Sequence, residues 1–524
     1  MVSALKKGGF DIPIFSVSVA ENSEHGDYAT NAALIVAKTV KENPMDVAER
    51  IKNSLVESSG TFFEKIDCAR PGFINFWLSR DVVLDGLREI LTQKNEYGKV
   101  APTQEKIQVE FISANPTGPL TLANARGGFY GDTLSRVLER AGFFVEREYY
   151  INDAGNQIRT LGCAVCAAIG EVPMEEGYYR GEHITEWAEA NREMIQKNKE
   201  DPELIGRACA QYFLDTMIRP AVEQKMKIRF GRWTSEYDDI REKGFVEQAR
   251  TFFEKKDLSY EKDGAVWLRT TDFGDDKDRV LVTGDGFPTY FLVDAAHYLQ
   301  TNELGYGRKI NILGADHHGY VSRIQAVARI FEFKKSDVLI LQLVRLVAGG
   351  KEVRMSKRKG TFVTIDELLE EVPVDVARYF FLEKSLDTHM DFDLDRAREQ
   401  SAKNPVYYIQ YAHARTASIF RKVRYSGEGT HVGLLKESEE LAVIKKLMQF
   451  PEIIADAARD YQLSRITRYV HEVAHVFHNF YEKHQVIIEG DSDRTSARLA
   501  LVRGTQIILK QSLDLLGITA PEEM

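Results

Sequence analysis

The chain contains little cysteine, no long apolar run and no excess of positive charge. Four cysteines in 524 residues give no disulfide framework, and Cys163 and Cys166 form a single C-x-x-C within an apolar helical pattern that core packing explains. No apolar run approaches the ~18 residues that cross a bilayer, and the first residues lack the apolar core of a secretion signal. We therefore expect a cytoplasmic protein without a membrane contact.

The net charge of −10 excludes a generic nucleic-acid binder, whose surface would be basic overall. The charge is unevenly spread, since residues 395–524 sum to +1 and the rest of the chain carries −11. A nucleic-acid partner would therefore have to meet local basic patches. The length predicts roughly three or four domains at ~150 residues each.

The most informative stretch predicts a βαβ unit. An apolar strand over residues 107–112 leads through a Gly/Pro-rich loop to a helix that opens at Asn124 and stops at Gly142, and a second strand covers residues 143–151. Such units normally feed a parallel sheet. The loop at the head of the helix favours an anion or nucleotide site, because free backbone N–H groups and the helix dipole point there.

The same stretch carries a set of polar and turn residues at both ends of the βαβ unit: Glu110, Ser113, Asn115, Pro116, Gly118, Asn152, Asp153, Gly155, Asn156 and Gln157. In these residues it closely resembles the first signature region of arginyl-tRNA synthetases, which are class I aminoacyl-tRNA synthetases with a Rossmann-type core. The resemblance implies that the loop residues Pro116 and Gly118 contact ATP.

The resemblance extends over nearly the whole chain and implies its domain organisation. Residues 1–98 carry HGDYATN and PGFINFWL, which resemble the N-terminal additional domain that contacts tRNA. Residues 99–394 are predicted to form the catalytic domain, with a helical insertion near 177–256. Residues 395–524 are helical almost throughout and resemble the anticodon-binding domain. The expected fold is α/β: a Rossmann-type parallel-sheet core, an N-terminal α+β domain and a C-terminal all-α domain.

A second class I signature is the loop GGKEVRMSKRKG, residues 349–360. Basic residues crowd it, and glycines flank it. It resembles the Lys-Met-Ser-Lys loop of class I synthetases, with Arg354 in the first basic position and Lys357 in the second. The resemblance implies that Met355 and Lys357 bind ATP and that Lys357 contacts the pyrophosphate in the transition state. The alternative is an ordinary solvated basic turn.

One signature departs from the family. Most members carry His-x-Gly-His where this chain has Thr121, Leu122, Ala123 and Asn124. The family's histidines donate to ATP phosphate oxygens, and the Thr121 hydroxyl and Asn124 amide are also donors that could serve those oxygens. Alternatively, the chain has lost activation and only binds RNA. We favour the first interpretation, because the residues expected to bind arginine are intact.

The arginine-binding residues are the most specific indication of function. A guanidinium offers five donors in a planar fork, which carboxylates recognise at close range. Glu110 and Asp294 match the family's acidic pocket residues, and Tyr290 lies one helical turn before Asp294 on the same face. Asn115 matches the residue that holds the substrate α-amino group, and Ser113 is nearby. Each residue alone could have an ordinary structural role, but chance does not explain the order and spacing of the whole set.

The segment GADHHG resembles the nucleotide side of the core, so Asp316 and His317 are candidates for ribose or adenine contacts. The pairing of histidine with aspartate could instead indicate a metal site, but a third ligand at metal-like spacing is missing.

Candidates for tRNA contacts come from both ends of the chain. The resemblance implies contacts from Phe73, Asn75 and the C-terminal Met524. Tyr407, Tyr411 and Arg415 share one helical face, and exposed aromatics stack on single-stranded bases with roughly 1–3 kcal/mol each. The alternatives are that Phe73 is core and Asn75 solvated, and that the tyrosines pack between helices.

The sequence thus predicts ATP-dependent ligation of L-arginine to tRNA(Arg) through an arginyl-adenylate. ATP is expected as a substrate with Mg²⁺, without a tightly bound cofactor or a protein metal site, in a monomer. The resemblance also implies that bound tRNA is needed to activate arginine. The alternatives are a catalytically impaired tRNA-binding relative and, less favoured, another class I synthetase, because an apolar substrate would not call for two pocket carboxylates.

Overall fold

The computed structural model describes residues 5–6, 15–20, 22–353, 364–423 and 431–524. The N-terminal unit is an antiparallel sheet in the order β1–β2–β4–β3, covered by two helices. These elements are β1 (Val17–Val19), β2 (Tyr28–Thr30), α1 (Ala32–Val40), α2 (Pro44–Ser59), β3 (Phe63–Ala69) and β4 (Phe73–Leu78). Helix α2 begins at the Asn43 cap with Pro44 in its first position, an arrangement that satisfies a free backbone donor.

The helix that follows joins the N-terminal unit to the C-terminal helices. Helix α3 (Arg80–Gln93) buries its apolar face in the same core as the C-terminal helices. The Arg80 guanidinium donates to the Leu435 carbonyl at 3.1 Å, and Asp27 pairs with Lys445 at 2.8 Å. The two ends of the chain therefore pack together.

The central unit is built on a parallel sheet with the strand order β12–β11–β5–β6–β7. In chain order its elements are β5 (Lys106–Glu110), α4 (Leu122–Arg140), β6 (Phe144–Ile151), α5 (Asn156–Ala168), α6 (Glu182–Ala190), α7 (Arg192–Lys197), α8 (Pro202–Phe213), β7 (Arg232–Ser235), α9 (Phe245–Lys255), β8 (Ser259–Lys262), β9 (Ala265–Leu268), β10 (Arg279–Val282), α10 (Tyr290–Glu303), β11 (Arg308–Gly314), α11 (Val321–Ile330), β12 (Lys335–Leu341), β13 (Val344–Ala348), β14 (Lys351–Glu352), α12 (Ile365–Glu371), α13 (Val374–Leu382) and β15 (Met390–Asp393). The strand order reverses between β5 and β11, so a crevice opens at the carboxyl ends of these two strands.

The stretch predicted as a helical insertion, residues 177–256, contains a strand of the central sheet. Strand β7 pairs in parallel with β6, from Glu148 opposite Arg232 to Ile151 opposite Ser235. The helices α6 to α8 precede it and bury their own apolar cluster with α5. The insertion therefore lies between β6 and β7, and the chain returns to the sheet earlier than predicted.

The C-terminal unit is helical, as predicted. Its helices are α14 (Leu394–Arg398), α15 (Pro405–Lys422), α16 (Ser438–Met448), α17 (Phe450–Asp460), α18 (Ser464–Lys483) and α19 (Ser492–Leu516). They share the largest apolar core among the described residues with α4 and α13. The predicted fold class is confirmed by the parallel-sheet core, the N-terminal α+β unit and the helical C-terminal unit. Within the described ranges, no helix is long and apolar enough to cross a membrane.

Candidate active site

A cavity of about 780 Å³ opens at the crevice beyond the carboxyl ends of β5 and β11. It is large enough for a small-molecule substrate, since ligand sites commonly span about 300–1,000 Å³. Sequence-predicted residues that line it are Glu110, Ser113, Asn115, Gly118, Thr121, Asn124, Tyr290, Asp294, Asp316 and His317. Pro116 is buried and does not line the cavity. The fold thus brings together residues that lie up to about 200 positions apart in the chain.

The chain turns sharply where β5 ends. Ile112 and Ser113 have φ angles of 65° and 38°, a left-handed conformation that side chains other than glycine rarely adopt. The Ser113 hydroxyl holds the turn, because its oxygen accepts from the Tyr150 backbone N–H at 3.1 Å and it donates to Glu110 Oε1 at 3.2 Å. This strained turn directs the following loop along the cavity.

The helical insertion contacts the same loop through His183. Its Nε2 lies 3.2 Å from the carbonyl oxygen of Thr117. A Cβ atom at the next residue, Gly118, would stand 3.0 Å from that ring nitrogen. Glycine therefore permits the close packing of insertion and loop.

Helix α4 begins at Leu122, two residues earlier than the sequence predicted, because Thr121 caps it. The Thr121 backbone N–H and hydroxyl both donate to Asn124 Oδ1, each at 2.9 Å. The hydroxyl proton of Thr121 is thus engaged within the cap, and its role at a phosphate stays a prediction. The cap uses only the oxygen of the Asn124 amide, so its NH₂ group can still donate hydrogen bonds, and Asn124 lines the cavity.

The ends of the second signature loop are anchored on either side. Strand β14 pairs antiparallel with β13, and after the loop Thr364 forms a β-bridge with Thr121. The Ile365 backbone N–H donates to the Leu120 carbonyl at 2.9 Å. The chain therefore leaves the loop directly beside the head of α4. The predicted residues Arg354, Met355 and Lys357 themselves lie outside the described residues.

Two carboxylates with raised pKa values mark the acidic part of the cavity. Burial raises the pKa of Asp294 from 3.8 to about 7, with Glu236 adding to the rise and the Tyr320 hydroxyl and Arg323 opposing it. Burial also raises the pKa of Glu236, although Arg241 lies 2.7 Å from its carboxylate and opposes the shift. An incoming cation would favour ionisation of both groups. Glu236 was missed from the sequence, because it directly follows the unpredicted strand β7.

Glu110 lies deeper than Asp294 and is held by the protein itself. Its Oε2 accepts from Asn311 Nδ2 at 2.7 Å and lies 3.3 Å from Lys309 Nζ. Lys309 is fully buried and was predicted only as part of a strand. The sequence identified Glu110 but gave no sign of the residues that fix it.

The other candidate residues occupy distinct places. Asp316 and His317 are exposed at the cavity rim, with 3.6 Å between His317 Nε2 and Asp316 Oδ2. In the N-terminal unit Phe73 is exposed, whereas Asn75 is buried on the same strand. Of these two predicted tRNA contacts, only Phe73 has an exposed side chain, and both contacts stay predictions.

The C-terminus closes a groove on the helical unit. Tyr411, Arg415, Tyr481 and Met524 line it, with Tyr411 43% and Met524 59% exposed. The Arg415 guanidinium lies 4.7 Å from the centre of the Tyr411 ring and 4.6 Å from that of Tyr481. Tyr407 is partly buried and does not line this groove.

The fold and the cavity are those of a class I aminoacyl-tRNA synthetase: the family model "tRNA synthetases class I (R), catalytic domain" matches residues 86–420. The model "Arginyl tRNA synthetase N terminal domain" matches residues 2–78, and "DALR anticodon binding domain" matches residues 409–524. The chain belongs to the arginyl-tRNA synthetase family.

Relatives along the full length agree with this assignment. A protein named arginine–tRNA ligase from Symbiobacterium thermophilum is 42% identical over 96% of this chain and 92% of its own length. One from Halalkalibacterium halodurans is 40% identical over 100% of this chain and 98% of its own. The arginyl-tRNA synthetase structure from Thermus thermophilus shares the fold, with a TM-score of 0.78 over 99% of this chain and 98% of that one at 21% identity. None of these matches favours the alternative of a catalytically impaired relative.

Proposed function

We propose that this chain ligates L-arginine to tRNA(Arg) with ATP, through an arginyl-adenylate formed in the described cavity. The observation that carries the proposal is the pair Asp294 and Glu236, two carboxylates with raised pKa values beside the head of a helix at the reversal point of a parallel sheet. A guanidinium offers such a pair a positive charge and several donors, in addition to those that Arg241 already gives Glu236. Tyr290, Ser113, Asn115 and Glu110 complete the amino-acid part of the cavity.

The first step joins the arginine carboxylate to the α-phosphate of ATP and releases pyrophosphate. The protein contributes positioning and charge stabilisation rather than covalent chemistry. Asn124 lines the cavity at the start of α4, and a helix start favours phosphates through its backbone N–H groups, whereas Asp316 and His317 would meet the nucleoside. We assign Arg354, Met355 and Lys357 to ATP, with Lys357 on the pyrophosphate. Mg²⁺ would accompany the ATP phosphates as part of the substrate.

We also propose a cytoplasmic monomer in which bound tRNA is required for arginine activation. We expect arginine-dependent exchange of radiolabelled pyrophosphate into ATP when tRNA(Arg) is added, and exchange at background without it. Charging of tRNA by arginine, but not by lysine or methionine, is the parallel control for substrate. Full exchange without tRNA would refute the requirement while leaving ligation intact.

The C-terminal groove is proposed to stack bases of the tRNA. Replacing Tyr411 with alanine removes one exposed ring, so we expect tRNA binding to weaken by about 1–3 kcal/mol, roughly 5- to 150-fold in Kd. Filter binding of tRNA(Arg) measures this. Phe144→Ala removes a comparably exposed ring (57%) from the central sheet and should leave Kd unchanged. Equal effects of the two substitutions would remove the groove from tRNA recognition.

A further inference from the structure

A buried cation lies directly behind the cavity. Lys309 is fully buried on β11, and its Nζ lies 2.7 Å from Gln108 Oε1, 3.1 Å from Glu148 Oε2 and 3.3 Å from Glu110 Oε2. The same atom lies 3.2 Å from His297 Nε2. Burial of an ammonium group is costly unless it is paired and hydrogen-bonded, and this one has both kinds of partner.

The cluster resembles a metal site in which an ammonium group takes the place of the ion. One ligand atom each from Glu110, Glu148 and His297 lies within 4.8 Å of the others. Lys309 Nζ stands 3.1 to 3.3 Å from an atom of each of these three side chains. With one ammonium and two carboxylates, the group carries a net charge of −1 when His297 is neutral.

The two carboxylates have different surroundings. Glu148 is fully buried and accepts from the Thr234 hydroxyl at 2.6 Å. Burial would raise the pKa of Glu148, but its interactions with His297, Lys309 and Thr234 outweigh burial and hold the pKa below its ordinary value. Glu110, in contrast, lines the cavity. The net negative charge can therefore be offered to a ligand only through Glu110.

We propose that Lys309 and Glu148 are positioning residues for arginine binding, because Lys309 Nζ lies between the carboxylates of Glu148 and Glu110 and holds the Glu110 side chain aimed at the cavity. The inference rests on the proposed function, in which arginine is the cation that meets Glu110. Without Lys309, two buried carboxylates would face each other with no cation between them, and their repulsion would disturb the position of Glu110. Without Glu148, the ammonium would pair with Glu110 alone and cancel the charge that Glu110 offers.

This arrangement makes a compensation test possible. In the full-length chain, Glu148→Gln and Lys309→Met should each raise the KM for arginine about tenfold, equivalent to ~1.4 kcal/mol, and leave the KM for ATP unchanged. The double variant restores a net charge of −1 on Glu110, so its KM for arginine should return to within about threefold of the starting value. Steady-state aminoacylation with varied arginine and varied ATP measures both constants.

A matched control separates positioning from loss of stability. Asp132 and Arg378 form another buried ion pair, 2.6 Å apart, and Asp132 does not line the cavity. Asp132→Asn should lower the melting temperature without changing the KM for arginine. Additive effects in the double variant, or equal rises in both KM values, would overturn the proposal.

Two further outcomes also decide the question. If Lys309→Met does not fold, the two KM values of the nearly isosteric Glu148→Gln variant decide alone: a rise for arginine only supports the proposal, and parallel rises contradict it. If the unmodified chain fails to charge arginine at all, the proposed function fails before this inference is reached.

Discussion

The Asp294→Asn variant is expected to lose arginine binding and gain stability. Loss of a buried carboxylate that faces a bound cation typically costs 2–5 kcal/mol, so the KM for arginine should rise about 30-fold or more. Glu303→Gln removes an exposed carboxylate from the same helix and should change nothing. Aminoacylation with varied arginine is the measurement. An unchanged KM in Asp294→Asn would exclude this carboxylate from substrate recognition.

The stability gain follows from the raised pKa of Asp294. The folded chain holds the proton up to a pKa of about 7, against 3.8 as the ordinary value, so this group's contribution to stability is fully present below 3.8 and is lost as pH rises through 7. Above pH 7 the buried charge costs at most about 4 kcal/mol, which the asparagine avoids. Thermal unfolding of both chains at pH 5 and pH 8 should show the larger gain at pH 8. A melting temperature that falls at pH 8 would contradict this account.

The Asn124→Asp variant is expected to fold normally and lose most of its turnover. An aspartate retains the oxygen that accepts from Thr121 and suits a helix start, so the cap and the melting temperature should persist. It lacks the amide donor and adds a negative charge where phosphates would bind. Removal of one such donor costs about 100- to 1,000-fold in kcat. Single-turnover adenylate formation in the presence of tRNA measures the effect.

Two comparisons isolate the amide of Asn124. Asn124→Ala loses both cap and donor, so its kcat and its stability should fall together, the latter by about 1 kcal/mol. Asn43→Asp makes the same chemical change at the cap of α2 and should leave kcat unaffected. Wild-type turnover in Asn124→Asp would show that the phosphates are held without this side chain.

Local patterns were sufficient to predict the elements that carry most of the site. The apolar run before the loop and the helical spacing of Tyr290 and Asp294 predicted the elements, whereas the family resemblance selected Glu110, Tyr290 and Asp294, which the fold brings around one cavity. The helix start was predicted at Asn124 rather than Leu122, because a residue that caps a helix with its side chain resembles a loop residue in the sequence.

What the sequence missed depends on distant or short features. Strand β7 has only four residues, RWTS, and is stabilised by its neighbour β6 rather than by its own pattern, so Glu236 beyond it was missed too. The partners of Lys309 come from positions up to 201 residues away, and no local periodicity reports such contacts. Whether a charged side chain such as Lys309 is buried depends on how the sheet packs and not on the sequence of its own strand.

The packing of the two chain ends on each other has a consequence for biosynthesis. The Arg80–Leu435 hydrogen bond and the Asp27–Lys445 ion pair join positions 355 and 418 residues apart. At a typical ribosomal rate of about 5–20 residues per second, the N-terminal unit waits roughly 20–80 s for its docking partner to be made. During that interval its apolar docking helix α3 is uncovered, so a nascent chain that stops before residue 435 would present this helix to chaperones and proteases.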